Sequence, residues 1–142
     1  MQQPDPNNEA TFREIRVPST LKCCKEPEAA LMSDLQSHNF GQDAIFAIKL
    51  AYEEAMTNAV KHGNCNDQNK SVTVRFAVDD QKAVVVVRDE GCGFSPDQVP
   101  DPTSPERLPL PNGRGIMLMR AYMDEVYYRA GGREVYFMKR NK

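Results

Sequence analysis

A carboxylate and an amide stand four residues apart, at Glu54 and Asn58, near the end of a long helical pattern. Residues at this spacing lie on one face of an α-helix, one turn apart. The neutral oxygen of Asn58 would suit a hydrated Mg²⁺ ion, and Glu54 could accept a proton from an attacking hydroxyl. Taken alone, the pair is weak evidence, because a solvated helix charge or an ion pair would explain Glu54 equally well.

The polar edge of the same helix continues through Lys61 and His62 and ends at Gly63, a typical C′ residue. At about 100° per residue, Asn58 and His62 fall at the border of the apolar stripe, so we expect both to point into the seam between helix and core. A polar group in that seam needs a partner, which a ligand or a metal ion would supply.

A second chemical stretch, Asp89 to Phe94, follows directly after an apolar strand pattern. Gly91 and Gly93 allow the backbone to approach a ligand closely. A carboxylate beside such a turn can accept a hydrogen bond from an exocyclic amine such as that of adenine, while the glycines let a flat ring lie against the backbone. On its own, a plain Asp-Glu-Gly turn is the simpler interpretation.

The third stretch, Gly113-Arg114-Gly115, opens a helical pattern. Backbone amides at a helix N-terminus attract phosphate through their free N–H groups and the helix dipole. A flexible junction between loop and helix would use the same glycines. The stretch is not a P-loop, because Gly-x-x-x-x-Gly-Lys is absent, and it is not a dinucleotide fingerprint.

Two helices are predicted before residue 64. The first runs from about Pro27 to Ser37. The second covers roughly residues 44–62, with Asp43 as its candidate N-cap. We expect Glu53 to be exposed, because it points about 100° away from Glu54. The apolar stripe of the second helix has spacings of three and four: Ile45, Ile48, Tyr52, Ala55, Met56, Ala59.

Strand patterns account for most of the remaining chain. Residues 11–17 resemble an edge strand closed by Pro18. Strict alternation over 72–78 and a continuous apolar run over 83–87 predict a hairpin with a more central second strand. Residues 126–129 and 134–139 predict a second hairpin.

Between the two glycine stretches, residues 95–112 are rich in proline and can form neither helix nor strand. Loops of this length tend to be functional, and we expect this one to order over bound phosphates. Helical spacing then returns over residues 115–123. The order of elements predicts an α+β two-layer sandwich, a mixed, mostly antiparallel sheet with helices on one face.

Composition limits the class of protein. The 142 residues suffice for one domain, which we place at 11–142 after a disordered lead-in at 1–10. A net charge of −2 gives no support for nucleic-acid or anionic-membrane binding. We expect neither a signal peptide nor a membrane span. The four cysteines, without a Cys-x-x-Cys, predict free thiols and a cytoplasmic protein.

Together, the three chemical stretches resemble the N-box, the Asp-x-Gly-x-Gly box and the second glycine box of the GHKL (Bergerat) ATP-binding fold. Glu54-x-x-x-Asn58-Ala-x-x-His62-Gly63 and Gly113-Arg-Gly-Ile-x-Leu-Met-Arg resemble the bacterial anti-sigma-factor serine/threonine kinases. The likeness extends over roughly residues 11–140.

The resemblance implies a role for each matching position. Glu54 would be the catalytic base and Asn58 the Mg²⁺ ligand. Asp89 would bind adenine, in a site shaped by Gly91 and Gly93.

On the phosphate side, the resemblance implies that Gly113 and Gly115 bind the nucleotide. Lys61, His62 and Arg114 complete the predicted nucleotide-binding set. One position departs from the family, because many members carry Gly-Thr where this chain has Gly132-Arg133.

The implied function is an ATP- and Mg²⁺-dependent protein serine/threonine kinase that also acts as a binding switch. Its implied partners are a sigma factor or similar target, an anti-anti-sigma (STAS-type) substrate, and a second copy of itself in a homodimer. One alternative is an ATP-binding regulatory module that sequesters a partner without kinase activity. Another is a detached histidine-kinase domain, which Glu54 disfavours.

Overall fold

The computed structural model describes residues 4–63, 69–91, 120–129 and 133–141, and only the backbone of residues 62 and 63. Two α-helices are described between the first and second strands: α1, Lys25–Ser37, and α2, Gln42–Thr57. A π-helical segment, Asn58–Gly63, continues α2 without a break. Its end at Gly63 agrees with the predicted end of the helix.

The start of α2 differs from the sequence prediction. Its N-cap is Gly41, which has extended backbone angles and whose carbonyl accepts the Ile45 N–H at 3.0 Å. Asp43 therefore lies in the first turn of α2 and is not the N-cap. The carboxylate still suits this position, because negative charge near a helix N-terminus is favourable.

Helix α1 ends where predicted. Asn39 has a φ of 59°, a left-handed conformation that asparagine tolerates better than most residues. Leu31 and Leu35, one turn apart, are fully buried against the core. The Tyr52 hydroxyl of α2 donates a hydrogen bond of 2.7 Å to the Cys24 carbonyl, which ties α2 to the residue preceding α1.

The apolar stripe of α2 is confirmed except at its first position. Ile48, Tyr52, Ala55, Met56 and Ala59 are buried, and Ile45 is half-buried against the same core.

The described residues form five strands, which make one sheet in the order β1-β2-β3-β5-β4. Their bounds are β1, Arg13–Pro18; β2, Ser71–Val78; β3, Lys82–Asp89; β4, Glu125–Arg129; and β5, Glu134–Arg140. All four described pairings are antiparallel. Both predicted hairpins are confirmed, as are the edge position of β1 and the central position of β3.

Helices and sheet form the two predicted layers of an α+β fold. The core lies between α1, α2 and one face of the sheet, which we call the inner face. Side chains alternate along each strand, so Val85 and Val87 of β3 enter the core while Val84 and Val86 point to the opposite, outer face.

Some predicted elements lie wholly or partly outside the described residues. They are the proline-rich loop at 95–112 and most of the helix at 115–123, of which residues 120–122 are described and helical. Within the predicted lead-in, residues Glu9–Thr11 form a short 3₁₀ helix capped by the side chain of Asn8. The domain boundary at residue 11 stays a prediction. Across the described ranges, no helix combines the length and apolarity that crossing a bilayer requires.

Candidate functional site

Asn58 occupies the junction between α2 and the π-helical segment. Only 6% of its surface is exposed, and its side-chain Oδ1 atom is buried without a hydrogen-bond partner among the described residues. Its backbone N–H, by contrast, is satisfied by the carbonyls of Glu54 and Ala55. Leaving a buried acceptor unpaired is costly, so such an atom indicates that a ligand or an ion completes the site.

The π-helical geometry has a direct effect on this position. Single π-turns within longer helices occur frequently at functional sites, because the wider turn changes the direction of side chains. This one begins at Asn58 itself and packs against β3. It therefore holds the amide in the seam between helix layer and sheet, as the sequence predicts.

Glu54 lies one turn before Asn58 on α2 and is half-exposed. Its surroundings include Tyr128 of β4 and Arg120. The pKa of Tyr128 is raised to about 12, chiefly by burial; the positive charge of Arg120 opposes the rise, and the negative charge of Glu54 adds to it. Tyr128 therefore lies close enough to interact electrostatically with Glu54 and with Arg120. The sequence alone predicts a role for neither Tyr128 nor Arg120.

The neighbouring acid, Glu53, is not exposed as expected. It is half-buried and forms a hydrogen bond with Glu28 of α1, whose pKa burial raises above its usual range. The reason is packing between the helices, because the face 100° away from Glu54 is covered by α1. Glu53 therefore serves the contact between α1 and α2.

Asp89 ends β3, and only 3% of its surface is exposed. The Gly91 N–H donates to Asp89 Oδ1 at 2.9 Å, and the Asp89 N–H donates to the Arg133 carbonyl at 2.9 Å. These bonds hold the carboxylate at the strand end, with an acceptor suited to an amine donor.

The electrostatics of Asp89 have two opposing parts. Burial raises the pKa of its carboxyl above the usual value. The Gly91 hydrogen bond and the positive charges of Arg133, Lys70 and Arg88 act against that rise. Arg133 therefore interacts with Asp89 in two ways: its backbone carbonyl accepts the Asp89 N–H, and its positive charge favours the ionised carboxylate. It occupies the position where the sequence departs from the family pattern.

The structure therefore brings together only part of the predicted set. The π-helical segment that begins at Asn58 packs on β3, which ends at Asp89, and Gly91 contacts Asp89 directly. Lys61 is exposed. The side chain of His62 and the positions predicted on the phosphate side lie outside the described residues: Gly93, Gly113, Arg114, Gly115. Their roles stay predictions.

Comparison with known proteins identifies the family. Residues 18–139 match the family described as histidine kinase-like ATPase domain. The chain belongs to this family. Its use of ATP follows from that membership, and the predicted resemblance to the GHKL fold is confirmed.

Named relatives narrow the resemblance. The serine-protein kinase RsbW of Bacillus subtilis is 32% identical over 126 residues, which cover 84% of this chain and 78% of the relative. The anti-sigma F factor of Geobacillus thermodenitrificans is 36% identical over 86 residues, 59% of each chain. These names agree with the predicted anti-sigma-factor kinase branch.

A solved structure supports the fold. The RsbU and RsbW domains of Rv1364c from Mycobacterium tuberculosis align with a TM-score of 0.61 and 19% identity. The alignment covers 92% of this chain and 32% of that one.

Proposed function

We propose that this protein is an ATP- and Mg²⁺-dependent serine/threonine kinase of the anti-sigma-factor type. It binds a sigma factor or a similar target and phosphorylates an anti-anti-sigma-type protein in the cytoplasm. The observation that carries the proposal is the buried Asn58 Oδ1, which has no hydrogen-bond partner among the described residues and lies one helical turn from Glu54. The names of the relatives support the substrate class.

The described residues fit a divalent cation and an adenine nucleotide. Asn58 offers a neutral oxygen of the kind that Mg²⁺ accepts alongside water and phosphate, and Asp89 offers a buried acceptor for the adenine amine. When bound, Mg²⁺ neutralises charge on the transferred phosphoryl group.

Glu54 has the remaining chemical role. The oxygen of a serine or threonine side chain attacks the γ-phosphorus of ATP, the bond to the β–γ bridging oxygen breaks, and ADP leaves. The hydroxyl proton passes to the Glu54 carboxylate. The half-exposed position of Glu54 suits this role, because a protein substrate must reach the base from outside.

The decisive experiment compares Glu54→Gln with Asn58→Ala. Both variants are assayed for ATP affinity and for transfer of labelled γ-phosphate to the partner that co-purifies with the protein. Glu54→Gln should keep ATP affinity and slow transfer by about 10²–10⁴-fold, or less if the transition state is loose. Asn58→Ala should lose Mg²⁺-dependent affinity and transfer together.

Glu53→Gln is the matched control, because it makes the same change one residue away on the face that contacts Glu28. It should transfer phosphate at the rate of the unmodified protein. Unchanged transfer in Glu54→Gln would exclude Glu54 as the base. If the unmodified protein phosphorylates none of the partners it binds, the alternative of a nucleotide-dependent binding module replaces the kinase.

A further inference from the structure

The outer face of the sheet carries a cluster of charged side chains, which we call the outer arginine cluster: Arg75, Arg88 and Arg129 around Glu134. Arg129 Nε lies 2.9 Å from Glu134 Oε2, Arg88 Nη1 lies 3.7 Å from Oε1, and Arg75 Nη2 lies 3.9 Å from Oε1. The Glu134 side chain is only 10% exposed.

Strand register places this cluster on the face opposite the helices. Val87, Val135 and Tyr128 form one row across the sheet and point to the helix layer. The residues next to them, Arg88, Glu134 and Arg129, form the adjacent row. Because side chains alternate along a strand, that row points outward. The cluster is therefore separated by the sheet from the core.

An N-terminal segment, residues 4–12, occupies this face. Glu9 Oε1 lies 3.2 Å from Arg129 Nη1, and Glu9 Oε2 lies 3.6 Å from Arg75 Nη2. Farther along the sheet, Lys82 Nζ donates to Asn7 Oδ1 at 2.7 Å. The single carboxylate of Glu9 is thus held between two arginines from different strands.

The face beneath the segment has apolar as well as charged character. Four outward-pointing residues are buried although they lie outside the core shared with the helices: Ala77, Val84, Val86, Met138. Pro6 in the segment is buried too. Removing the segment would therefore expose an apolar strip beside the arginines, the composition expected of a protein-binding surface.

The contacts that hold Glu9 suit exchange with another acidic group. The side chains of Glu9, Arg75 and Arg129 are 40%, 29% and 39% exposed, and ion pairs this exposed contribute little to stability. The Arg129 Nη2 atom is buried and has no acceptor in the described part of the chain. Without Glu9, Glu134 would be the one carboxylate within 4.0 Å of the three arginines among the described residues.

We propose that the outer face is a docking surface for an acidic, extended segment of a protein partner, and that residues 4–12 occupy it in the free protein. The partner would place a carboxylate where Glu9 lies and apolar groups on the strip beside it. Nucleic acid suits the surface less well, because Glu134 would repel phosphates. Partner and nucleotide could bind together, since Asn58 and the cluster belong to opposite faces.

The test uses the full chain and a fluorescently labelled peptide with the sequence of residues 4–12. Glu9→Gln should bind this peptide about 3- to 10-fold more tightly than the unmodified protein, because it removes a tethered competitor whose effective concentration is roughly millimolar. Glu26→Gln, the same change on an exposed residue of α1 in the helix layer, is the matched control and should have no effect. A second peptide, with glutamine at the position of Glu9, should bind the Glu9→Gln protein more weakly than the peptide with the natural sequence does.

A second variant identifies the arginines. Adding Arg129→Gln to Glu9→Gln should abolish the gain in peptide binding. If that protein does not fold, Arg75→Gln takes its place, because its contact with Glu134 is longer. ATP affinity should be unchanged in every variant.

Equal peptide binding by the unmodified protein, Glu9→Gln and the arginine variants would overturn the proposal. Tighter binding of a labelled single-stranded oligonucleotide than of the peptide would replace the protein partner with nucleic acid. Because peptide binding is measured without ATP or a substrate, neither result depends on kinase activity.

Discussion

Two buried carboxylates lie on opposite faces of the same sheet and have opposite surroundings. Glu134, 8% exposed, pairs with three arginines on the outer face. Asp89, 3% exposed, accepts a hydrogen bond from the Gly91 N–H and has no arginine or lysine within 4.0 Å among the described residues. Asp89 directly follows Arg88, the β3 residue that pairs with Glu134 of β5.

The difference in surroundings indicates that Glu134 has a structural role and that Asp89 is a candidate for binding a ligand. A buried charge surrounded by cations is stabilised within the protein, whereas one with fewer partners retains interaction energy for a ligand. Asn58 has the same property as Asp89, since its Oδ1 atom has no partner in the described residues. We propose that these incompletely paired groups, in the seam between the layers, mark the nucleotide site.

The largest expected effect comes from removing the structural carboxylate. Glu134→Ala should lower the free energy of unfolding by about 1.5–3 kcal/mol, because it removes the buried carboxylate that three partly exposed arginines share. Urea denaturation measures the change, with Glu26→Ala, an exposed position on α1, as the control. ATP affinity of the folded fraction should stay the same. A loss below about 1 kcal/mol would place the cluster among ordinary surface ion pairs.

Asp89→Asn should affect ATP affinity and leave stability nearly unchanged, the reverse of Glu134→Ala. Stability should change little, because the substitution removes a desolvated charge. ATP affinity should fall by about 10–100-fold, as expected for a lost hydrogen bond to a charged group. Calorimetry with ATP and GTP tests this, and Asp43→Asn, at the exposed start of α2, is the control. Equal affinity of the unmodified protein for both nucleotides would contradict adenine binding at Asp89.

Stability and ATP affinity should depend on the protonation of Asp89 in opposite directions. Burial raises the pKa of Asp89, so the native state holds this proton more tightly than the unfolded chain. Its contribution to stability is therefore fully present below the ordinary aspartate pKa and is lost as pH rises through the raised value. ATP affinity should instead weaken as pH falls through that value, because the protonated carboxyl is a poorer acceptor.

Urea denaturation and ATP titration at pH values from roughly 4 to 7 measure both trends against Asp89→Asn. The differences in stability and in ATP affinity between the unmodified protein and Asp89→Asn should both depend on pH. If ATP affinity depends on pH in the same way in both proteins, a group other than Asp89 controls the pH dependence of ATP binding.

The smallest effect is expected at the N-terminal segment. Glu9→Gln should lower stability by less than about 1 kcal/mol, because its ion pairs are partly exposed. Thermal unfolding at low and high salt measures this, since screening should reduce the difference. A larger loss would mean that residues 4–12 are an integral part of the fold.

Much of the architecture could be predicted from local patterns. The strict alternation over 72–78 and the apolar run over 83–87 became β2 and β3, because one-sided and two-sided burial leave different periodicities. The sequence predicts a start of α2 that is two residues late, because Asp43 has the side-chain chemistry of an N-cap whereas Gly41 has the extended backbone. Propensity alone cannot decide between neighbouring caps.

Parts of the site were beyond sequence reasoning for a different reason. Tyr128 and Arg120 are distant in sequence from Glu54, and only the packing of β4 beside α2 brings them near it. Glu53 was expected in solvent, but α1 covers it. Both outcomes depend on long-range contacts, which periodicity within one segment does not encode.

The sequence by itself determined the order of the described elements, the inward-facing residues of α2 and β2, and the family, because these follow from local spacing and short motifs. The tertiary structure decided which polar groups are left without partners. Glu134 and Asp89 are both acids at strand ends, and only strand register assigns the arginines to one and the seam beside α2 to the other. Whether a buried charge is paired depends on neighbours from other strands, so it appears only once the sheet has formed.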